Sequence, residues 1–103
     1  MSSALRFLPG VEGDVLAAYG WYEGRSLGLG EDFLRTFYAG AYEIPRHPLL
    51  YREVHREFRR RLLSRFPYAI YFSIQAKEIV VFGVFHCARD PYSIGMDLEQ
   101  RAE

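Results

Sequence analysis

Lysine is nearly missing from this chain: Lys77 is the only one among 13 basic residues, so the positive charge is almost wholly arginine. Cysteine is as scarce. The single Cys87 leaves no internal disulfide possible within the sequence and suits a reducing compartment. No apolar run approaches the roughly 18 residues that a membrane span needs. No basic segment followed by a long apolar stretch opens the chain, as it would in a secretory signal. A soluble, cytoplasmic protein with no membrane partner is therefore expected. Metal-ligand spacing is missing too, because His47, His55 and His86 stand far apart and Cys87 has no second thiol. The glycines between Gly24 and Gly30 lack the preceding strand of a phosphate-binding loop. No metal and no cofactor is expected. Adjacent strand residues face opposite ways, so Cys87 next to His86 does not make a nucleophile and its base.

Net charge is also absent, with 13 basic and 13 acidic residues. The balance hides an uneven distribution. Arg46, Arg52, Arg56, Arg59, Arg60, Arg61 and Arg65 face only Glu53 and Glu57, seven minus two, a local charge of +5. Such a cluster marks a surface for an anionic partner, either nucleic acid or an acidic protein segment. Arg56, Arg59, Arg60, Arg61 and Arg65 are its candidate partner-binding residues. The remaining composition favours a packed domain. Half of the 103 residues are apolar and 17% are aromatic, enough to bury about 65% of the unfolded surface in one domain and to exclude intrinsic disorder.

Periodicity gives the order of elements. Leu5–Leu8 reads as a first strand, interrupted at Pro9-Gly10. Val11 to Glu23 has helical spacing, with Val15, Ala18, Tyr19 and Tyr22 at i, i+3, i+4 and i+7. Three glycines between Gly24 and Gly30 make the turn of a helical hairpin. A second helix runs from about Glu31 to Ile44, with Glu31 and Asp32 at the positive end of its dipole and Pro45 as its stop. The pattern then turns extended. Tyr51–Val54 is an edge strand or connector, and Phe58–Leu63, Tyr68–Ile74 and Ile79–Phe85 are strands joined by short turns. After the Asp90-Pro91 turn the sequence becomes polar, and residues 93–103 form a tail that Gly95 keeps at best weakly helical. The sum is a single α+β domain over residues 1–103: an N-terminal strand, an α-helical hairpin, then a three-stranded antiparallel meander in one sheet. The hairpin should cover one face and leave the other open.

Four stretches carry a resemblance to a known family. "AAYGWYEGRS" holds a Trp-Tyr before the hairpin turn, and "GLGEDFLRTF" opens the second helix. "RRRLLSRFPYAIYF" is a central hairpin with a Phe-Pro-Tyr corner, and "IVVFGVFHCARDP" is a last strand ending in His and Arg-Asp-Pro. In this order and spacing, from about Phe7 to Pro91, they resemble the RelE/ParE toxins, also called plasmid-stabilisation proteins. The resemblance implies a type II toxin–antitoxin toxin, neutralised by a cognate antitoxin with which it forms homo- or hetero-oligomers. It leaves the activity open between two branches. RelE-like members cleave messenger RNA on the ribosome, whereas ParE-like members inhibit DNA gyrase and have no hydrolytic site.

The family's cleavage pattern takes two basic residues two apart on the second strand, one after the corner, an arginine after the last strand and a tyrosine in the tail. Such groups activate the 2′-hydroxyl, hold the charged phosphorane and protonate the leaving oxygen. Here Arg60 matches the first position, but the second falls on Leu62 and the third on Ala69. Arg89 matches the fourth. The tail tyrosine falls near Gly95, with Tyr92 three residues early. His86 could supply acid–base chemistry instead. If the chain is a nuclease, its catalytic residues are therefore Arg60, Arg89, His86 and Tyr92. The apolar departures and the zero net charge favour the ParE-like branch, with DNA gyrase as target. The RelE-like reading, with ribosome and messenger RNA as partners, is the alternative; a non-toxic binding module or remnant is the third.

Bland roles compete at each of these positions. Trp21 and Tyr22 suit hairpin packing. Phe66-Pro67-Tyr68 suits a structural corner, and Arg89-Asp90 a local ion pair. Arg59 and Arg61 should point opposite to Arg60, because strand side chains alternate.

Overall fold

The computed structural model describes residues 4–103. The chain runs β1 (Ala4–Phe7), α1 (Pro9–Arg25), α2 (Leu29–Glu43), β2 (Glu53–His55), β3 (Phe58–Leu62), β4 (Tyr68–Gln75), β5 (Glu78–His86) and α3 (Pro91–Arg101). Two short 3₁₀ turns, Ile44–Arg46 and Pro48–Leu50, lead from α2 to β2. The strands form one sheet in the order β1-β5-β4-β3-β2.

Local chemistry favours the starts of the first two helices and their buried stripes. Pro9 opens α1 at a position whose N–H would have no helical partner anyway. Val11, Val15, Ala18 and Tyr22 give α1 its buried stripe. Glu31 and Asp32 lie in the first turn of α2, whose Phe33, Phe37 and Ala41 are buried. These residues pack on Ile70, Phe72, Ile79, Val81 and Val84 of the central strands in the main core. Burying each such side chain contributes about 1.5–3 kcal/mol. The Phe-Pro-Tyr corner belongs to the same cluster: Phe66 meets Tyr22 with ring centroids 4.9 Å apart and Phe33 at 5.4 Å.

The meander β3-β4-β5 is antiparallel, as its short turns require. Two features correct the expected sheet. β1 joins it parallel to β5, with Ala4 opposite Glu78 and Phe7 opposite Val81, so the sheet is mixed. The helical hairpin forms the crossover that a parallel pairing needs. A fifth strand, β2, pairs with β3 at the far edge; the Tyr51–Val54 segment contributes only its last two residues to it.

The tail is a further correction. Residues expected to be weakly helical form the 11-residue helix α3. Asp90 caps it by accepting the Ser93 N–H at 3.0 Å, and Pro91 opens its first turn. Ile94 and Leu98, one turn apart, are buried against Phe58, Ala69, Tyr71, Val80, Phe82 and Phe85. Gly95 does not break the helix. A Cβ there would lie 2.8–3.0 Å from the His55 ring, so glycine lets α3 approach the β2–β3 hairpin. The sheet face expected to be open is thus partly roofed by α3.

One irregularity matters for that roof. Tyr71 pairs with Gly83 but Phe72 pairs with Val81, leaving Phe82 as an extra residue in β5. The bulge lets Phe82 join Val80 and Phe85 under α3, while Ile79, Val81 and Val84 remain under the hairpin.

Candidate functional site

Strand alternation sorts the arginine cluster. Arg59 and Arg61 pair with Phe72 and Ile70, on the hairpin side, while Arg60 pairs with Tyr71, on the α3 side. The hairpin-side arginines are engaged within the chain. Arg59 donates to the Tyr51 carbonyl at 2.6 Å and lies 3.6 Å from Glu53. Arg61 pairs with Glu43 and donates to the Leu62 carbonyl at 3.0 Å. Arg56 reaches Glu99 at 2.8 Å, and Arg65 lies 3.6 Å from Asp32. Of the five candidate partner-binding residues, Arg60 alone makes no ion pair among the described residues. The +5 of the sequence is thus largely answered by acids from other elements.

The four candidate catalytic residues separate into overlapping pairs. Arg60 and Arg89 line one small cavity of about 60 Å³, together with His55, Tyr71, Cys87 and Gly95. His86 and Arg89 line a second, far larger cleft of about 710 Å³ between α1 and α3. Tyr92 lines neither and is 75% exposed. Arg89 is itself occupied, donating to Ser93 Oγ at 2.8 Å and Asp97 Oδ2 at 2.9 Å, with its guanidinium 4.8 Å from the centre of the Phe85 ring. His86 Nδ1 accepts the Ala88 N–H at 2.9 Å, which leaves the ring proton on Nε2 in the neutral tautomer.

The two departures from the cleavage pattern fall at one place. Leu62 and Ala69 are directly opposite across β3 and β4, and Ala69 faces Phe85 on β5. A row of three apolar residues therefore crosses the sheet two positions along from the row that holds Arg60, Tyr71 and Gly83, with the row of Arg61, Ile70 and Val84 between them. Ala69 is fully buried. Neither position carries a cation: Leu62 is exposed, and Ala69 lies in the apolar cluster under α3.

No sequence motif marks the large cleft. Ala17, Trp21 and Tyr22 of α1 wall one side, Asp97 and Arg101 of α3 the other, and β5 forms the floor at Val84–His86. Trp21 is 54% exposed, so it does not serve simply as hairpin packing. Arg25 lies 4.2 Å from the centre of its ring, a cation–π contact. Burial pushes the phenols of Tyr22 and Tyr68 above their ordinary pKa, keeping both neutral.

A bidentate ion pair closes one end of this cleft. Arg101 Nη1 meets Asp14 Oδ2 at 2.7 Å and Nη2 meets Oδ1 at 2.9 Å, joining residues 87 apart in sequence. The hydrogen bond to Asp14 raises the pKa of Arg101 further, outweighing desolvation. Gly83 leaves the room: a Cβ there would lie 2.6 Å from the Phe85 ring and 3.0 Å from Arg101 Nη1. In the same last turn of α3, two residues before Arg101, His55 Nε2 lies 2.5 Å from Glu99 Oε2. That contact, then Arg56, holds the Glu99 carboxyl below its ordinary value against desolvation. No local sequence signal marks Asp14, Glu99 or Arg101, because each finds its partner across the fold, whereas Asp97 meets Arg89 only eight residues away.

No protein-family model matches the sequence, and no curated protein matches it. Among solved structures, it is similar to a chain of the "Chromosomal ParDE TA system from P. aeruginosa". The two superpose with a TM-score of 0.70 at 18% identity, over 82% of this chain and 96% of the other. The likeness spans most of both chains, and this protein has a ParE/RelE-like α+β fold.

Proposed function

We propose that this chain is the toxin of a type II toxin–antitoxin pair, acting in the cytoplasm by binding a cellular target and neutralised by a cognate antitoxin. The ParE-like branch, with DNA gyrase as target, is the reading we favour. One observation carries that choice: on a ParE/RelE-like fold, the cross-strand pair Leu62 and Ala69 stands where the cleavage pattern has cations. Loss of one preorganised electrostatic contact typically costs about 2.7–4 kcal/mol of transition-state stabilisation. The arginines that remain are mostly matched, Arg89 by Asp97 and Arg101 by Asp14. A surface so neutralised suits protein contacts better than ribosomal phosphates, where excess positive charge governs affinity.

The RelE-like reading keeps one supporting observation, the shared cavity of Arg60 and Arg89. A single experiment separates the readings. The chain is induced with and without the neighbouring gene, and supercoiling by gyrase and messenger RNA integrity are followed side by side. Growth arrest with lost supercoiling and intact message, relieved by the neighbour, is the expected result. Cleaved message that becomes intact in Arg89→Ala would instead establish the nuclease. Strong induction without any growth defect, the neighbour still co-purifying, would identify a non-toxic binding module.

A further inference from the structure

Tyr71 is 3% exposed, yet its hydroxyl has no hydrogen-bond partner among the described residues. A hydroxyl so deep in a protein is normally bonded. This one is not sealed off either, because Arg61 Nε is the one enclosed side-chain nitrogen or oxygen among the described residues that lacks a partner. It therefore opens on the cavity of about 60 Å³ that Tyr71 lines beneath α3. Arg60, its cross-strand partner, lines the same cavity and makes no ion pair among the described residues.

The other polar side chains around the cavity fall into two kinds. His55 is bound to Glu99, and Arg89 to Ser93 and Asp97. Cys87 is exposed and carries a free thiol. Its backbone N–H donates to the Pro67 carbonyl at 2.8 Å, which fixes the residue at the end of β5. The cavity thus holds a guanidinium and a phenol with nothing to donate to, and a thiol beside them.

We propose that Cys87 is a site of oxidation by peroxide, and that its sulfinate product is held in this cavity by Arg60 and Tyr71. The reaction takes two steps. In the first, the sulfur attacks one peroxide oxygen and a sulfur–oxygen bond forms. The oxygen–oxygen bond breaks, and the other oxygen leaves as water with the thiol proton, giving the sulfenic acid. A second peroxide adds another oxygen in the same way, releases a second water and gives the sulfinic acid, which ionises. No second thiol in the chain can divert the sulfenic acid into an internal disulfide. The sulfinate brings the missing acceptors: one negative charge and two oxygens, suited to charge-assisted hydrogen bonds from Arg60 and Tyr71. A cavity of about 60 Å³ takes two oxygen atoms, whereas a peptide-sized thiol cap exceeds it. Oxidation therefore neutralises Arg60, the member of the arginine cluster that the fold leaves unpaired, and does so lastingly.

The test uses the full chain by itself, so it does not depend on the function proposed above. The purified protein is treated with hydrogen peroxide, and peptide mass mapping separates oxidation at Cys87 from that at Met1 and Met96. A gain of two oxygen atoms at Cys87 is expected. Sulfinate should form about threefold more slowly in Arg60→Gln and in Tyr71→Phe, an effect the size of a partly exposed charge contact. Arg46→Gln, in the connector after α2, should oxidise like wild type. Peroxide should also raise the thermal midpoint of the wild type relative to Cys87→Ser treated in the same way, and Arg60→Gln should lose this gain. Circular dichroism checks each fold, and Arg60→Gln, at a half-buried position, keeps the test intact if the buried Tyr71→Phe unfolds. Equal sulfinate rates in wild type and both cavity variants, with no gain over Cys87→Ser, overturn the proposal and leave Cys87 an ordinary exposed thiol. Oxidation that stops at the sulfenic acid overturns it as well.

Discussion

The two faces of the sheet are covered in different ways. On the hairpin side, α1 and α2 lay contiguous apolar stripes on Ile70, Phe72, Ile79 and Val81, and burial does the work. On the α3 side, only Ile94, Gly95 and Leu98 of an 11-residue helix are buried, and polar contacts fasten its ends. Arg101 reaches Asp14 on α1, Glu99 reaches His55 and Arg56 on the β2–β3 hairpin, and Arg89, just before the helix, is bound to Asp97 within it. Apolar burial is non-directional and tolerates small shifts, whereas a bidentate ion pair holds one geometry. The hairpin face should therefore set global stability, and the α3 face should open at lower cost.

The largest effect should come from the hairpin face. Phe37→Ala removes a ring that is 1% exposed in the main core and should cost about 3–5 kcal/mol. Thermal unfolding followed by circular dichroism would read this as loss of the whole fold; a mild effect would mean that the hairpin core is not dominant. Next comes Arg101→Ala, which leaves Asp14 without its cation and the Phe82 carbonyl without its donor. A cost of about 2–4 kcal/mol is expected, reduced from that of a fully buried pair by partial exposure. Hydrogen exchange should rise in 91–101 while α1 and α2 stay protected. Equal loss of protection on both faces would erase the distinction drawn above.

Gly83→Ala should cost about 1–3 kcal/mol, because the new methyl meets the Phe85 ring and Arg101 at the bulge. Its exchange pattern should copy that of Arg101→Ala. The smallest effect concerns pH. Glu99 has a lowered folded-state pKa, first through His55 and also through Arg56, so its contribution is complete above the ordinary carboxylate value. That contribution is lost as pH falls through the lowered folded value. Exchange in α3 should therefore accelerate on acidification from about pH 6 to about pH 3 relative to the hairpin, and less so in Glu99→Gln. Identical acid profiles for wild type and variant would remove Glu99 as a fastening point.

Legibility in the sequence follows the same division. The hairpin helices and the meander strands were readable because each repeats apolar residues at its own period over many positions. Residues 93–103 were misread because α3 has only Ile94 and Leu98 as its main apolar anchors, and because Gly95 resembles a breaker when His55 is out of sight. Alternation correctly separated Arg60 from Arg59 and Arg61. It could not reveal that Glu43, Glu53, Glu99 and Asp32 would meet Arg61, Arg59, Arg56 and Arg65. Of the candidate quartet, Arg89 shares a cavity with Arg60 and a cleft with His86, while Tyr92 lines neither.

By itself the sequence determined the order of the first strand, the helical hairpin and the meander, the hairpin core and the apolar identity of Leu62 and Ala69, because periodicity and residue type are local properties. Only the tertiary structure decided that β1 runs parallel to β5, that α3 roofs the second face, and that a cleft opens over the last residues of β5. Those features depend on partners as far apart as Asp14 and Arg101, 87 positions along the chain. Pairings at that separation leave no periodic trace, since they are selected by packing geometry and charge after the chain has folded back on itself.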